Sequence, residues 1–297
     1  MVKYILLQVL RVPEKGELYM KPMDQFNYDI LQEDNARKYL TAEEYGEYRK
    51  IPEDDRVHQL HKLLEQPIAQ FTVINELYFR TRWAGLINQV YGSGPVCLLE
   101  VASGDADMIP QAMAKSNPGS RYITANMNQL LNESMLRKTK DLDLHMQLID
   151  DDASAILNHI EPASVDIIAF QHAVNDVLQA ILCGQHGIDT VYTDWMATLP
   201  DMIRLLQAEV RDNTLERSVK DPFLSLLNCL LQVLNPEGII AINHYMFQLD
   251  LDWGYPPDLF ENLLPIVRLW ISELDNCKEI FLDGYDSQWW IFLSRLH

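Results

Sequence analysis

From Tyr28 to about Gly92, apolar residues recur at spacings of three and four. Leu60, Leu63, Leu64 and Ile68 mark one face, and Val73, Ile74, Leu77, Trp83, Leu86, Ile87 and Val90 continue it. That period is helical. Pro52 and Pro67 punctuate it, and Thr41 followed by Glu44 predicts a capping box opening a helix over 42–49. After Gly92 the texture changes to short, uniformly apolar runs alternating with helical stretches. Strands are predicted at 96–101, 121–125, 144–149, 165–170 and 239–242, the last launched from a turn at Asn235-Pro236-Glu237-Gly238. Two more close the chain near 279–282 and 289–293. Helices are predicted over 109–115, 128–138, 153–159 and 195–211, then from Asp221-Pro222 through Leu234, and from Pro257 to about Leu274.

Strands that are apolar throughout and alternate with helices belong to a parallel sheet covered on both faces. The last two are separated only by residues 283–287, too short for a crossover, and should pair as an antiparallel hairpin. The expected fold is therefore α/β: a seven-stranded, mostly parallel sheet with an antiparallel C-terminal hairpin and an N-terminal helical extension. The expected division is 1–91 for that extension and 92–297 for the sheet domain, with a helical insertion at about 175–235. No internal repeat is visible.

Composition narrows the partners. The 297 residues carry 24 Lys+Arg against 43 Asp+Glu, a formal net charge of -19, and 48% are apolar. The apolar fraction excludes general disorder. The charge argues against nucleic acid and against anionic membrane, which need Lys and Arg to neutralise phosphates. Cys97, Cys183, Cys229 and Cys277 lie far apart without a CxxC pair, so no zinc site or disulfide framework is indicated. His58 and His61 lack a third ligand, and no metal is expected. The apolar stretch Tyr4–Leu10 is broken by Arg11 and Pro13, and no segment approaches the ~18–20 apolar residues of a membrane helix. A cytoplasmic, acidic protein is expected.

Ligands of open parallel sheets bind at the carboxyl ends of the strands. The first strand ends in Leu99-Glu100-Val101-Ala102-Ser103-Gly104-Asp105-Ala106-Asp107. Ala102, Gly104 and Ala106 allow close approach to the backbone. A dinucleotide fingerprint would need a third glycine where Asp107 stands, and no Lys or Arg between Val96 and Ala114 balances a pyrophosphate. An acidic strand end with a small-residue loop suits a ligand carrying positive charge.

With five βα units and a closing hairpin, this loop resembles the class I S-adenosylmethionine-dependent methyltransferases, a Rossmann-like family, over roughly residues 92–297. The resemblance implies S-adenosyl-L-methionine as cofactor. It implies that Glu100 and the loop Ala102, Ser103, Gly104 hold the cationic methionine end. Asn126, with Met127 beside it, falls where the family places an acidic residue on the ribose hydroxyls; it lacks that residue's charge-assisted pair. Asp152-Ala153, with Asp151 as alternative, falls where the family meets the adenine, and Gln171 closes the cofactor set.

Candidate catalytic groups follow the fourth and fifth strands, in Phe170-Gln171-His172-Ala173-Val174-Asn175-Asp176 and Ile242-Asn243-His244-Tyr245. Methyl transfer asks for alignment, exclusion of water and management of one proton. His172 or His244 can take that proton, and Asp176, four residues on, would orient His172 in a helix. No GxSxG elbow offers a hydrolase nucleophile. Aromatics at Tyr19, Phe26, Tyr28, Tyr39, Tyr45, Tyr48, Tyr192, Trp195, Trp253 and Tyr255 could enclose a substrate. The expected partner is a small molecule or short peptide methylated at O or N, with specialised metabolite biosynthesis as the setting and a homodimer permitted. The alternative is a non-catalytic domain of the same fold that binds the cofactor or another ligand.

Overall fold

The computed structural model describes residues 28–64 and 67–296. The stretch Tyr4–Leu10, Tyr19, Phe26 and the Tyr28 side chain lie outside the described residues. Helices α1 (Glu33–Tyr39), α2 (Ala42–Tyr48), α3 (Glu53–Leu64) and α4 (Val73–Tyr91) precede the sheet. The predicted capping box forms: the Glu44 amide donates to Thr41 Oγ1 at 3.3 Å and the Thr41 amide to Glu44 Oε2 at 2.7 Å. A second box, Thr72 with Asn75, opens α4.

The sheet runs β1 (Cys97–Val101), α5 (Met108–Ser116), β2 (Ser120–Ala125), α6 (Gln129–Thr139), β3 (Leu144–Ile149), a 3₁₀ turn (Ala153–Asn158) and β4 (Val165–Gln171). Then come α7 (Val174–His186), α8 (Trp195–Arg211), α9 (Leu215–Val233) and β5 (Leu234–Asn243). Three short helices follow, α10 (Gln248–Trp253), α11 (Pro257–Glu261) and α12 (Leu263–Ile271), before β6 (Cys277–Ile280) and β7 (Trp290–Arg295). The seven strands order as β3-β2-β1-β4-β5-β7-β6, with β7 antiparallel to both of its neighbours. The expected doubly wound sheet with one reversed strand is the observed one. Chain direction switches sides between β1 and β4, which opens a crevice at their carboxyl ends.

Side chains alternate between two cores. Leu99, Val101, Ile168, Phe170, Ile240 and Ile242 pack with α7, α9 and α12. Leu98, Ile167, Ala169 and Ala241 pack with Leu77, Trp83 and Leu86 of α4. The N-terminal helices thus supply one of the two layers that cover the sheet.

Four local expectations need correction. The helix predicted to open at Pro222 begins at Leu215 and carries Pro222 inside it. Proline cannot bond the carbonyl four residues back, but Gln185 Nε2 donates to that Ser218 carbonyl at 2.8 Å. The segment after Asp152 is a 3₁₀ turn rather than an α-helix. The helix predicted over 257–274 breaks at Asn262, because Pro265 has no N–H for the Glu261 carbonyl. Residues 235–238 are a strand irregularity rather than a turn. The register shifts as Val165 faces Leu234 and Ile167 faces Ile239. Gly238 is required there, since a Cβ would lie 2.6 Å from Leu234 Cδ1 and 2.9 Å from the Asp166 carbonyl.

Candidate active site

Glu100, next to last in β1, is 1% exposed, and the Tyr122 hydroxyl donates to its Oε2 at 2.5 Å. Burial pushes its carboxyl up to about 8; the Tyr122 bond opposes this and the charge of Asp107 adds to it. The other two acids of the loop each stand near a cation. Asp105 accepts from Lys138 Nζ at 2.8 Å and from Ser134 at 2.9 Å, and these bonds hold it below the usual range against its partial burial. Asp107 stands 3.9 Å from Arg80 of α4. No Lys or Arg among the described residues pairs with Glu100, so the one buried acid is the one left for a cationic ligand.

The loop after Glu100 turns through left-handed backbone at Ala102 (φ 53) and Gly104 (φ 58). Besides the Ala102 amide, which donates to the Ala125 carbonyl at 2.9 Å, two side chains fix its position. Ser103 Oγ and Thr124 Oγ1 share a hydrogen bond of 2.7 Å, and Asn126 Nδ2 donates to the Gly104 carbonyl at 2.9 Å. A Cβ on Gly104 would meet only Leu131 Cδ1, at 3.7 Å, so its dihedral, not crowding, demands glycine. Asn126 therefore spends its side-chain nitrogen on the loop, while its backbone carbonyl accepts from Asn132 Nδ2 at 2.9 Å. Met127 is half-buried beside it.

At the end of β3 the three carboxylates already have partners. Asp150 accepts from Gln129 and from Asn132, both at 3.1 Å, and Asn132 also donates to the Asn126 carbonyl. Asp151 contacts His159 Nε2 at 2.7 Å, and Asp152 caps the 3₁₀ turn through the Ser154 amide. Ala153 is buried in the first turn. Carboxylates at such an N-terminus are favoured without any ligand.

The ends of β4 and β5 meet in register at Gln171 and Asn243. Trp83 Nε1 of α4 donates to Gln171 Oε1 at 2.5 Å. His172 follows with a left-handed φ of 53, the same departure as Ala102 on the other side of the crevice. Strained backbone at the ends of two neighbouring strands marks a place the surrounding fold over-determines. The His172 and His244 rings stack at 4.8 Å, and Phe247 stands edge-on to His172. Burial, and then the neighbouring His172, drives His244 well below its ordinary value, so it is neutral at pH 7.

Asp176 is not the residue that faces His172 Nε2. The structure gives that place to Asp250 of α10, whose Oδ2 lies 3.7 Å away. Because α7 starts only at Val174, His172 is outside the helix and the four-residue spacing does not align it with Asp176. Burial pushes Asp176 up to about 7, while His172 draws it down.

Half of the buried side-chain nitrogen and oxygen atoms without a hydrogen-bond partner, among the described residues, belong to five residues here. They are His172 Nδ1, Asn175 Oδ1, Gln179 Nε2, both amide atoms of Asn243 and both ring nitrogens of His244. Unpaired buried polar atoms are costly unless a ligand or water meets them. Tyr255 spends its hydroxyl on Gln179 at 2.8 Å. Sequence reasoning missed Asp250, Asn175, Gln179, Asn243, Tyr122, Arg80 and the role of Trp83. The i,i+4 spacing of Asn175 and Gln179, which sets both on the buried face of the helix, was the available signal.

No family model matches the chain, and no curated protein does. Solved structures do. A Methanococcus maripaludis protein provisionally assigned as an S-adenosyl-L-methionine-dependent methyltransferase is 14% identical, with a TM-score of 0.47, over 74% of this chain and 85% of that one. An Aquifex aeolicus SAM-dependent methyltransferase is 11% identical, with a TM-score of 0.43, over 73% and 97%. A Podospora anserina methyltransferase bound to SAH is 11% identical, with a TM-score of 0.43, over 83% and 89%.

Proposed function

We propose that this protein is an S-adenosylmethionine-dependent methyltransferase acting on O or N of a small molecule or short peptide. The observation that carries the reading is Glu100: a buried carboxylate without a cation, at the end of β1, beside a loop held open by left-handed backbone. An arriving ammonium would ionise that carboxyl and pair with it. Asn126 Oδ1 would accept from a ribose hydroxyl, and Gln171, fixed by Trp83, would flank the methionine end. Asp151, Asp152 and Ala153 stand where an adenine would reach the end of β3. When bound, S-adenosylmethionine supplies an electrophilic methyl group on a sulfonium. His172 would take the acceptor's proton at Nδ1, which has no partner in the fold, while Asp250 on the Nε2 side favours the imidazolium that results. His244, buried and neutral, would hold the His172 ring by stacking. Phe247 and Phe260 border the pair and exclude water.

A second reading, ligand binding without turnover, is favoured by Asn126, whose nitrogen is committed to Gly104 and whose side chain lacks charge. A mass-shift screen separates the two. The protein is incubated with the cofactor and pools of metabolites and short peptides. A product heavier by one methylene, with release of the demethylated cofactor, supports methyl transfer. Cofactor binding with no product across those pools supports the second reading.

A further inference from the structure

Beside the histidine pair lies a cavity of about 150 Å³. Leu64 of α3, Met246 after β5, Phe260 of α11, Leu264 of α12 and Trp289 before β7 form its walls. The His244 imidazole, 4% exposed, also lines it, and neither of its nitrogens has a hydrogen-bond partner. Two polar side chains complete the lining, Gln288 and Glu261; the latter is the one formal charge there, and it is negative.

Size, shape and charge limit the occupant. A cavity of ~150 Å³ holds one benzene-sized ring and no more. Apolar and aromatic walls would leave such a ring unsolvated at little cost. A neutral imidazole offers one donor and one acceptor, so it asks for a group that can answer either, such as a hydroxyl. An anionic ring finds no cation in the lining and meets Glu261.

We propose that this cavity holds the acceptor's ring and takes a single uncharged, hydroxyl-bearing aromatic ring, a phenol, with His244 as the specificity-determining residue bonded to a hydroxyl that is not the methylated one, and His172, outside the lining, left to take the proton of the methylated group. The proposal rests on the methyl-transfer reading for calling the ring an acceptor; the pocket itself does not need it.

The test uses phenol, toluene and benzoate as probes in ligand-observed NMR titrations of the full chain. Phenol should bind saturably and about three- to tenfold more tightly than toluene, the worth of one buried neutral hydrogen bond. Benzoate should show no saturable binding. His244→Phe should erase the preference for phenol over toluene while a ring still binds. Met246→Trp should fill the cavity and abolish binding of both, with Leu64→Trp as a second filler should the first fail to melt cooperatively. Phenol that does not bind, phenol that binds unchanged to a folded filler variant, or benzoate that binds as well as phenol overturns the proposal. Calorimetry with S-adenosylmethionine on the same preparation keeps the two failures apart. Cofactor binding without phenol binding overturns the pocket and leaves methyl transfer standing. Phenol binding under the terms above without cofactor binding supports the pocket and removes methyl transfer.

Discussion

The imidazole of His172 lies parallel to that of His244, with ring centroids 4.8 Å apart and planes 12° from each other. Two stacked rings do not both carry a proton's charge, and burial makes His244 the neutral one. His172 is the proposed base, with Asp250 3.7 Å from its Nε2. His172→Ala should lower kcat by roughly 10²–10⁴-fold with unchanged cofactor affinity. His244→Ala should act mainly on the acceptor's KM. Steady-state kinetics of both variants check this, and a larger kcat loss in His244→Ala contradicts the assignment of the base.

Glu100 makes stability depend on pH. Burial pushes its carboxyl up to about 8 in the fold, against about 4.3 for a free glutamate. Between those values the folded state holds one more proton than the unfolded state, so stability falls as pH rises through that window and levels above it. Glu100→Gln removes the dependence. Thermal melts should show the variant gaining on the wild type from pH 5 to pH 9, and parallel curves would contradict the burial argument.

At Gly104 the dihedral decides. Valine at a φ of 58 carries a left-handed penalty of about 1–2 kcal/mol, raised by β-branching. Gly104→Val should therefore lose stability as well as cofactor affinity, whereas Ala102→Gly should be tolerated. Urea titrations of the two variants check the difference.

Arg80, 2% exposed, binds Glu44 through two hydrogen bonds of 2.7 and 2.9 Å and Glu76 at 3.0 Å. It joins α2, α4 and the loop after β1. Arg80→Met leaves carboxylates facing one another and should cost about 3–5 kcal/mol at pH 7. The loss should shrink in acid as those carboxylates take up protons. Denaturation at pH 7 and at pH 5 measures it, and an equal loss at both would contradict the charge argument.

The sheet was legible in the sequence because buried parallel strands are apolar runs, and the run predicted at 165–170 is the buried strand Val165–Gln171. Pro222 misled because its remedy, Gln185, sits on a different helix. The loop after β1 was legible through its small residues, although Ala102 hides a glycine-like dihedral. Asp250 was not legible, since it reaches His172 across 78 residues of sequence and no local spacing reports such a pair. The same holds for Trp83 and Gln171, 88 residues apart. Local pattern reports which elements form; which side chains converge depends on strand order.

Isothermal titration of the protein with S-adenosylmethionine, in two buffers of different ionisation enthalpy at pH 7, tests the account at its centre. If an ammonium takes the place beside Glu100, binding must ionise that carboxyl, so the wild type should bind and release a proton while Glu100→Gln binds about 1.5–3 kcal/mol more weakly without that release. Absence of binding at millimolar cofactor, or binding with the same affinity and proton count in both proteins, would contradict it.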